Sequence, residues 1–115
     1  MSIRIIDQTI SREDLSKIAS ERFGDMVKAV VDIERRIMAV GGELHADEES
    51  LLLENGSEQR NVWGINLYPG QTGESFIEFD SMINIRPSQG NRSRGVEDAA
   101  LREKIREVVS HLMKD

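Results

Sequence analysis

From Val62 to Tyr68 the chain alternates without a break, with Trp63, Ile65 and Leu67 on one side, Gly64, Asn66 and Tyr68 on the other, and Pro69-Gly70 as the stop. A period of two over that length excludes a surface helix. It predicts a strand with one apolar and one polar face, the pattern of an antiparallel sheet covered on one side. The 115 residues leave room for a single domain over 1–115. There is no cysteine, so disulfides, thiol nucleophiles and cysteine-ligated metal sites are excluded. The first residues lack a leader-like apolar stretch, and no later run approaches the roughly 20 residues of a membrane span. The resulting expectation is a cytoplasmic protein without a membrane partner. With 21 acidic against 15 basic side chains, net −6, nucleic acid is disfavoured as a partner as well.

The other elements follow from periodicity and caps. Residues 2 to 6 carry Ile3, Ile5 and Ile6 and read as a first strand. Ser11 caps a helix whose face is Leu15, Ile18, Ala19 and Phe23, and Gly24 ends it. Residues 26 to 40 fit two periods. The β-branched Val27, Val30, Val31 and Ile33 favour a hairpin turning at Glu34-Arg35-Arg36, while one helix across residues 26 to 40, capped by Asp25 and Gly41, is the rival. The return strand is expected over Ile37 to His45, with a bulge at Gly41-Gly42. Asp47 then caps a short helix through Leu51 to Leu53, although Glu54-Asn55-Gly56-Ser57 also suits a hairpin turn. Residues 75 to 86 read as a further strand with Ile77, Phe79, Ile83 and Ile85 on one face. Leu101, Ile105, Val108 and Leu112 mark a final helix from about Asp98 to Met113. The order β-α-β-β-α-β-β-α describes an α+β fold, a single layer of mostly antiparallel sheet with helices packed on one face.

Three strings stand out within this order: Gly41-Gly42-Glu43-Leu44-His45-Ala46-Asp47, Val62-Trp63-Gly64-Ile65-Asn66-Leu67-Tyr68-Pro69, and Ile83-Asn84-Ile85-Arg86-Pro87-Ser88-Gln89-Gly90-Asn91-Arg92-Ser93. On these the chain resembles a family of small, roughly 110-residue microbial proteins classed only as a domain of unknown function. The resemblance implies no activity.

The segment from Arg86 to Gly95 holds three arginines and no acid. Guanidinium forks match carboxylate and phosphate oxygens, glycines let backbone amides turn inward, and a helix N-terminus follows. Arg86, Gly90, Asn91, Arg92, Arg94 and Gly95 are therefore the expected ligands of a small anion. The loop lacks a Gly-Lys-Ser/Thr ending and is not a nucleotide-phosphate loop. The bland alternative is that these arginines pair with the chain's surplus carboxylates.

Alternation also sets Glu78, Asp80, Asn84 and Arg86 opposite the apolar side of their strand, and extends that polar face to Asp32, Glu43, His45, Asn66 and Tyr68. His45 would carry protons with Glu43 or Asp47 orienting it and Asp80 and Glu78 assisting, as in a small hydrolase-like enzyme. A wet sheet face is ordinary, so polarity alone does not make a site. Two histidines are too few for a typical zinc site, His111 suits the end of the last helix dipole, and no cofactor or metal is called for. The acidic run Asp47-Glu48-Glu49 reads as a solvated helical turn, and Trp63 as core. Val30, Ile37, Phe76 and Met82 fall on the polar face, where they suit a homodimer seam or a cover of loop side chains. A protein-interaction domain without catalysis is thus the alternative to ligand binding.

Overall fold

The computed structural model describes residues 3–114. Five antiparallel strands form one sheet in the order β1-β3-β2-β4-β5, built from β1 (Arg4–Ile6), β2 (Val27–Asp32), β3 (Ile37–Val40), β4 (Val62–Leu67) and β5 (Ile77–Glu78). Three helices accompany it: α1 (Arg12–Arg22), α2 (His45–Glu54) and α3 (Ala99–Leu112). The fold is α+β with the element order read from the sequence. Ser2, the expected first residue of the opening strand, lies outside the described residues.

The ambiguous stretch is a hairpin. β2 and β3 pair from Ala29 opposite Val40 to Asp32 opposite Ile37, and Arg36 turns the chain at φ 59°. Asp32 fixes that turn, its Oδ1 accepting from the Glu34 and Arg35 amides at 2.9 and 3.0 Å. Asp32 is therefore turn chemistry rather than part of a polar face. Ser11 caps α1 as its position predicts, accepting from Asp14 N, and Asp98 caps α3, accepting from Ala100 N.

The helices do not share one face of the sheet. α1 and α3 cover the side carrying Ala29, Val31, Met38, Val40, Trp63, Ile65 and Leu67. α2 covers the other, seating Leu52 on Val30, Ile37, Ala39 and Val62. Val30 and Ile37 are thus core residues of a second, smaller cluster, not a seam. Phe76 is also buried, beneath the Arg12 guanidinium at 4.4 Å from its ring, which leaves only Met82 of the proposed seam exposed.

Two boundaries differ from those the sequence predicts. β3 stops at Val40 because Gly41 takes φ +97°, and α2 begins at His45, so His45 is a first-turn helical residue instead of a strand residue. The earlier start turns His45, Glu48 and Leu52 toward the sheet at i, i+3 and i+7, so only Asp47 of the acidic run is exposed while Glu48 is wholly buried. Residues 75 to 86 also fail as one strand. Only Ile77–Glu78 pairs with β4; Met82–Asn84 is a tight turn in which Ser81 accepts from Ile83 N, so Ile83 faces the α2 cluster while Ile85 is exposed. The Asn84 carboxamide substitutes for the missing ladder, receiving Gly64 N at Oδ1 (2.8 Å) and donating Nδ2 to Gly64 O (2.9 Å).

Candidate functional site

The arginines of the loop do not gather around a space. Arg86 is 8 % exposed and its fork is spent inward: Nε on the Ile83 carbonyl (3.0 Å), Nη1 on Gln59 O (2.7 Å), Nη2 on Val62 O (2.5 Å), with the Glu49 carboxylate at 3.4 Å. Burial lowers its pKa and Glu49 opposes that shift. Its guanidinium also lies over the Trp63 ring at 4.5 Å, so it holds the indole in place. Arg94 is exposed and bonded to Asp80 Oδ1 at 2.7 Å. Arg92 is exposed, its amide donating to Glu97 Oε2 at 2.9 Å, and that amide holds the Glu97 carboxyl below its usual range.

Asn91 pins the loop instead of facing a ligand. Its Nδ2 donates to the carbonyls of Asn84, Ser93 and Gly95, and its Oδ1 accepts from Glu97 N. Gly90 adopts φ +80° as the loop requires, with its amide on Pro87 O, and Gly95 packs against the Phe79 carbonyl. The six nominated ligands therefore build a rigid loop, and what the loop borders is more informative than what it holds.

Beside it lies a cleft of about 180 Å³ walled by Gly90, Asn91, Arg60, Trp63, Ile33 and Leu101. Trp63 is 3 % exposed, and its Nε1 is buried without a hydrogen-bond acceptor. A sealed, unmatched indole N–H is unusual, since leaving a buried donor unmade costs about 1–3 kcal/mol. Arg60 is an exposed cation on the rim, paired through Nε with Glu58 at 2.9 Å. Asp98 also borders the cleft, with one oxygen committed to the α3 cap. A larger cleft of about 310 Å³ lies beside α1, but charges of both signs, Asp14, Lys17, Glu21 and Arg22, share its walls. No described residue there carries an unmatched buried polar atom.

The second polar region lies on the α2 face, where the sheet extends past that helix. His45 Nε2 donates to Ile65 O at 2.8 Å, because a carbonyl can only accept. The neutral ring is thereby fixed as the Nε2–H tautomer, leaving Nδ1 as the basic nitrogen. Neither Glu43 nor Asp47 orients it: Glu43 pairs with Arg22 at 3.5 Å and Asp47 is solvated. Burial depresses the His45 pKa, and Lys28 adds to that, while Asn66 and Asp80 oppose it. Asn66 Nδ2 reaches Glu78 Oε1 (3.0 Å) and Asp80 O (3.3 Å), and Tyr68 Oη donates to Glu78 Oε1 (2.9 Å). Of the nominated catalytic set, His45 and Glu78 therefore meet through Asn66, while the Asp80 carboxylate is taken by Arg94. Chemically, this set offers one imidazole base and a row of acceptors.

Three participants escaped the sequence reading. Trp63 is core, as its alternation predicts, but no pattern reports an unmatched indole nitrogen. Lys28 faces Asn66 across the β2–β4 ladder, a register visible only once the hairpin is chosen. Glu48 is buried against Gly42, whose amide donates to its Oε2 at 2.9 Å, and its pKa is pushed up to about 9 by burial. Among the described residues no three His, Asp or Glu side chains form a group that could hold a metal ion. Nor is any described helix long and apolar enough to cross a membrane.

The family described as "Protein of unknown function (DUF5674)" matches residues 4–112, and the chain belongs to it. No curated protein and no solved structure matches the chain.

Proposed function

We propose that this DUF5674 protein is a binding module for a small carboxylate-bearing ligand with an apolar body, held in the cleft beside the 86–95 loop. The observation that carries the reading is that Trp63, whose buried Nε1 is unmatched, lines a cleft that is also bordered by the exposed cation Arg60. Ile33 and Leu101 supply apolar walls, so the matching guest presents oxygens at one end and hydrocarbon at the other. The loop glycine and asparagine frame the cleft; Arg86 supports the indole from behind. Arg92 and Arg94 contribute nothing in this reading. We place the module in the cytoplasm, in keeping with an acidic, cysteine-free chain.

Trp63 is the sole tryptophan, so its emission reports directly on the cleft. Titration with butyrate and hexanoate is expected to shift that emission saturably, with Arg60→Ala weakening the effect about tenfold, the loss of one charge-assisted contact. Inorganic phosphate gives a weaker response, and the double variant Arg92→Ala, Arg94→Ala leaves binding intact. The reading is lost if neither carboxylate shifts Trp63, or if the double variant abolishes the response while Arg60→Ala does not.

A further inference from the structure

The cleft beside the 86–95 loop carries charge of both signs at its mouth. Arg60 and Asp98 border it and both are exposed, whereas Ile33 and Leu101, its apolar walls, are half-buried. The charged groups therefore stand on the solvent side of the hydrocarbon, together at one end of the space.

The backbone holds both in place. Arg60 sits in the tight turn Gln59–Asn61, and all three carbonyls of that turn are bound from outside it: Gln59 O by Arg86 Nη1 (2.7 Å), Arg60 O by Gln89 Nε2 (3.3 Å) and Asn61 O by the Ile33 amide (3.0 Å). The Arg60 Nε is paired with Glu58 at 2.9 Å, and no other described carboxylate pairs with the guanidinium. Asp98 is fixed as the cap of α3, where its Oδ1 accepts from Ala100 N at 2.9 Å and its backbone carbonyl from Arg102 N at 3.0 Å. Its second oxygen, Oδ2, forms no ion pair with any described cation.

The two rim groups ask for different partners, because a guanidinium only donates and a carboxylate only accepts. A simple carboxylate engages Arg60 and leaves Asp98 facing it as a like charge; a simple amine has the converse fault. A guest with both groups at one end of a hydrocarbon body answers both. At about 180 Å³ the cleft lies below the roughly 300–1,000 Å³ of sites for drug-sized ligands, so that guest is small.

We infer that the cleft takes a zwitterionic amino acid with an aliphatic side chain. Its carboxylate meets Arg60, its ammonium meets Asp98 Oδ2, and its side chain lies against Ile33 and Leu101. The inference rests on the carboxylate reading of the cleft and narrows it.

Equilibrium dialysis with leucine, 4-methylpentanoate and 3-methylbutylammonium tests it. The three share one branched hydrocarbon body and carry both charges, the anion alone and the cation alone, and dialysis measures bound ligand without relying on Trp63 emission. Leucine is expected to bind about tenfold more tightly than 4-methylpentanoate, the worth of one charge-assisted contact, and 3-methylbutylammonium more weakly than either. Asp98→Asn keeps the cap, since asparagine caps a helix as well as aspartate does, and removes the charge. It should lower leucine to the affinity of 4-methylpentanoate without weakening 4-methylpentanoate itself. The ranking of the three ligands on the parent protein decides the matter even if the variant folds poorly. Leucine bound no more tightly than 4-methylpentanoate, or bound by a folded Asp98→Asn as by the parent, overturns the amino-acid inference and leaves the carboxylate reading standing. If none of the three binds, the carboxylate reading falls and the inference with it.

Discussion

Arg86 and His45 are equally buried, each 8 % exposed, and each stands in a polar region nominated from sequence. Their hydrogen-bonding accounts differ. Every nitrogen of the Arg86 fork ends on a protein carbonyl or on Glu49, so the buried charge acts as a staple between β4 and the turn before the loop. His45 spends one ring nitrogen on the Ile65 carbonyl at 2.8 Å and forms no ion pair. Residue type and burial therefore do not distinguish scaffold from site. Unmatched buried atoms occur at Asp32, Glu48, Trp63 and Asn66 among the described residues, and of these Trp63 borders the cleft beside the 86–95 loop.

The sharpest way to break the comparison is to remove the staple. Arg86→Ala leaves the buried Val62 carbonyl, the part-buried Ile83 and Gln59 carbonyls and Glu49 without their partner, and the expected loss is about 3–5 kcal/mol, the scale for breaking a buried charged network. Urea denaturation measures it. A loss below about 1 kcal/mol would mean that Arg86 is not committed to the fold and is free to meet a ligand.

Glu48 sharpens the other half, because it is a buried acid whose second oxygen, Oε1, is also unmatched. Its folded pKa, about 9, lies above the ordinary carboxylate value of 4.5, so unfolding releases a proton across that window and stability falls as pH rises through it. Each pH unit inside the window is worth about 1.36 kcal/mol, so the parent should lose roughly 3 kcal/mol between about pH 6 and pH 8.5 that Glu48→Gln does not lose. His45 runs the other way. Its folded pKa is depressed, so its contribution is lost as pH falls below about 6.5, where the unfolded ring takes up a proton. Denaturation curves at both ends of the range separate the two groups; parallel pH profiles for parent and Glu48→Gln would show that Glu48 is ionised in the folded protein.

What the sequence disclosed divides along the same line. Periodicity located β4, α1 and α3, and β-branched density resolved 26–40 into a hairpin, because those patterns report which backbone faces are buried. It failed at 75–86, where Ile83 and Ile85 keep strand spacing by residue type while the Asn84 carboxamide, a side chain, takes over the pairing. It missed α2 as the cover of the second face, since placing His45 in the return strand made a polar face appear open. Gly64→Ala tests that account. An added Cβ would stand 2.5 Å from Ser81 Oγ and 2.6 Å from Ser81 Cβ, so the Asn84 pairing must give way, at about 1–3 kcal/mol. Ser81→Gly relieves the clash and Ser81→Ala does not, because the Ser81 Cβ is itself in the way. A fully stable Gly64→Ala protein would show that the tight turn yields without cost.

The smallest expected effect lies in the loop itself. Arg94 and Asp80 form an exposed pair, 57 % and 40 % exposed at their side chains, and solvent screening leaves such pairs worth less than about 1 kcal/mol. Arg94→Ala should therefore change the urea midpoint barely, and the change should vanish at high salt. The variant also frees the Asp80 carboxylate next to Asn66 and Glu78, adding negative charge to the α2 face. Arg94→Ala is expected to leave the Trp63 response to butyrate unaltered. A loss of butyrate binding in this variant would instead return Arg94 to the anion site and dissolve the division between the two regions.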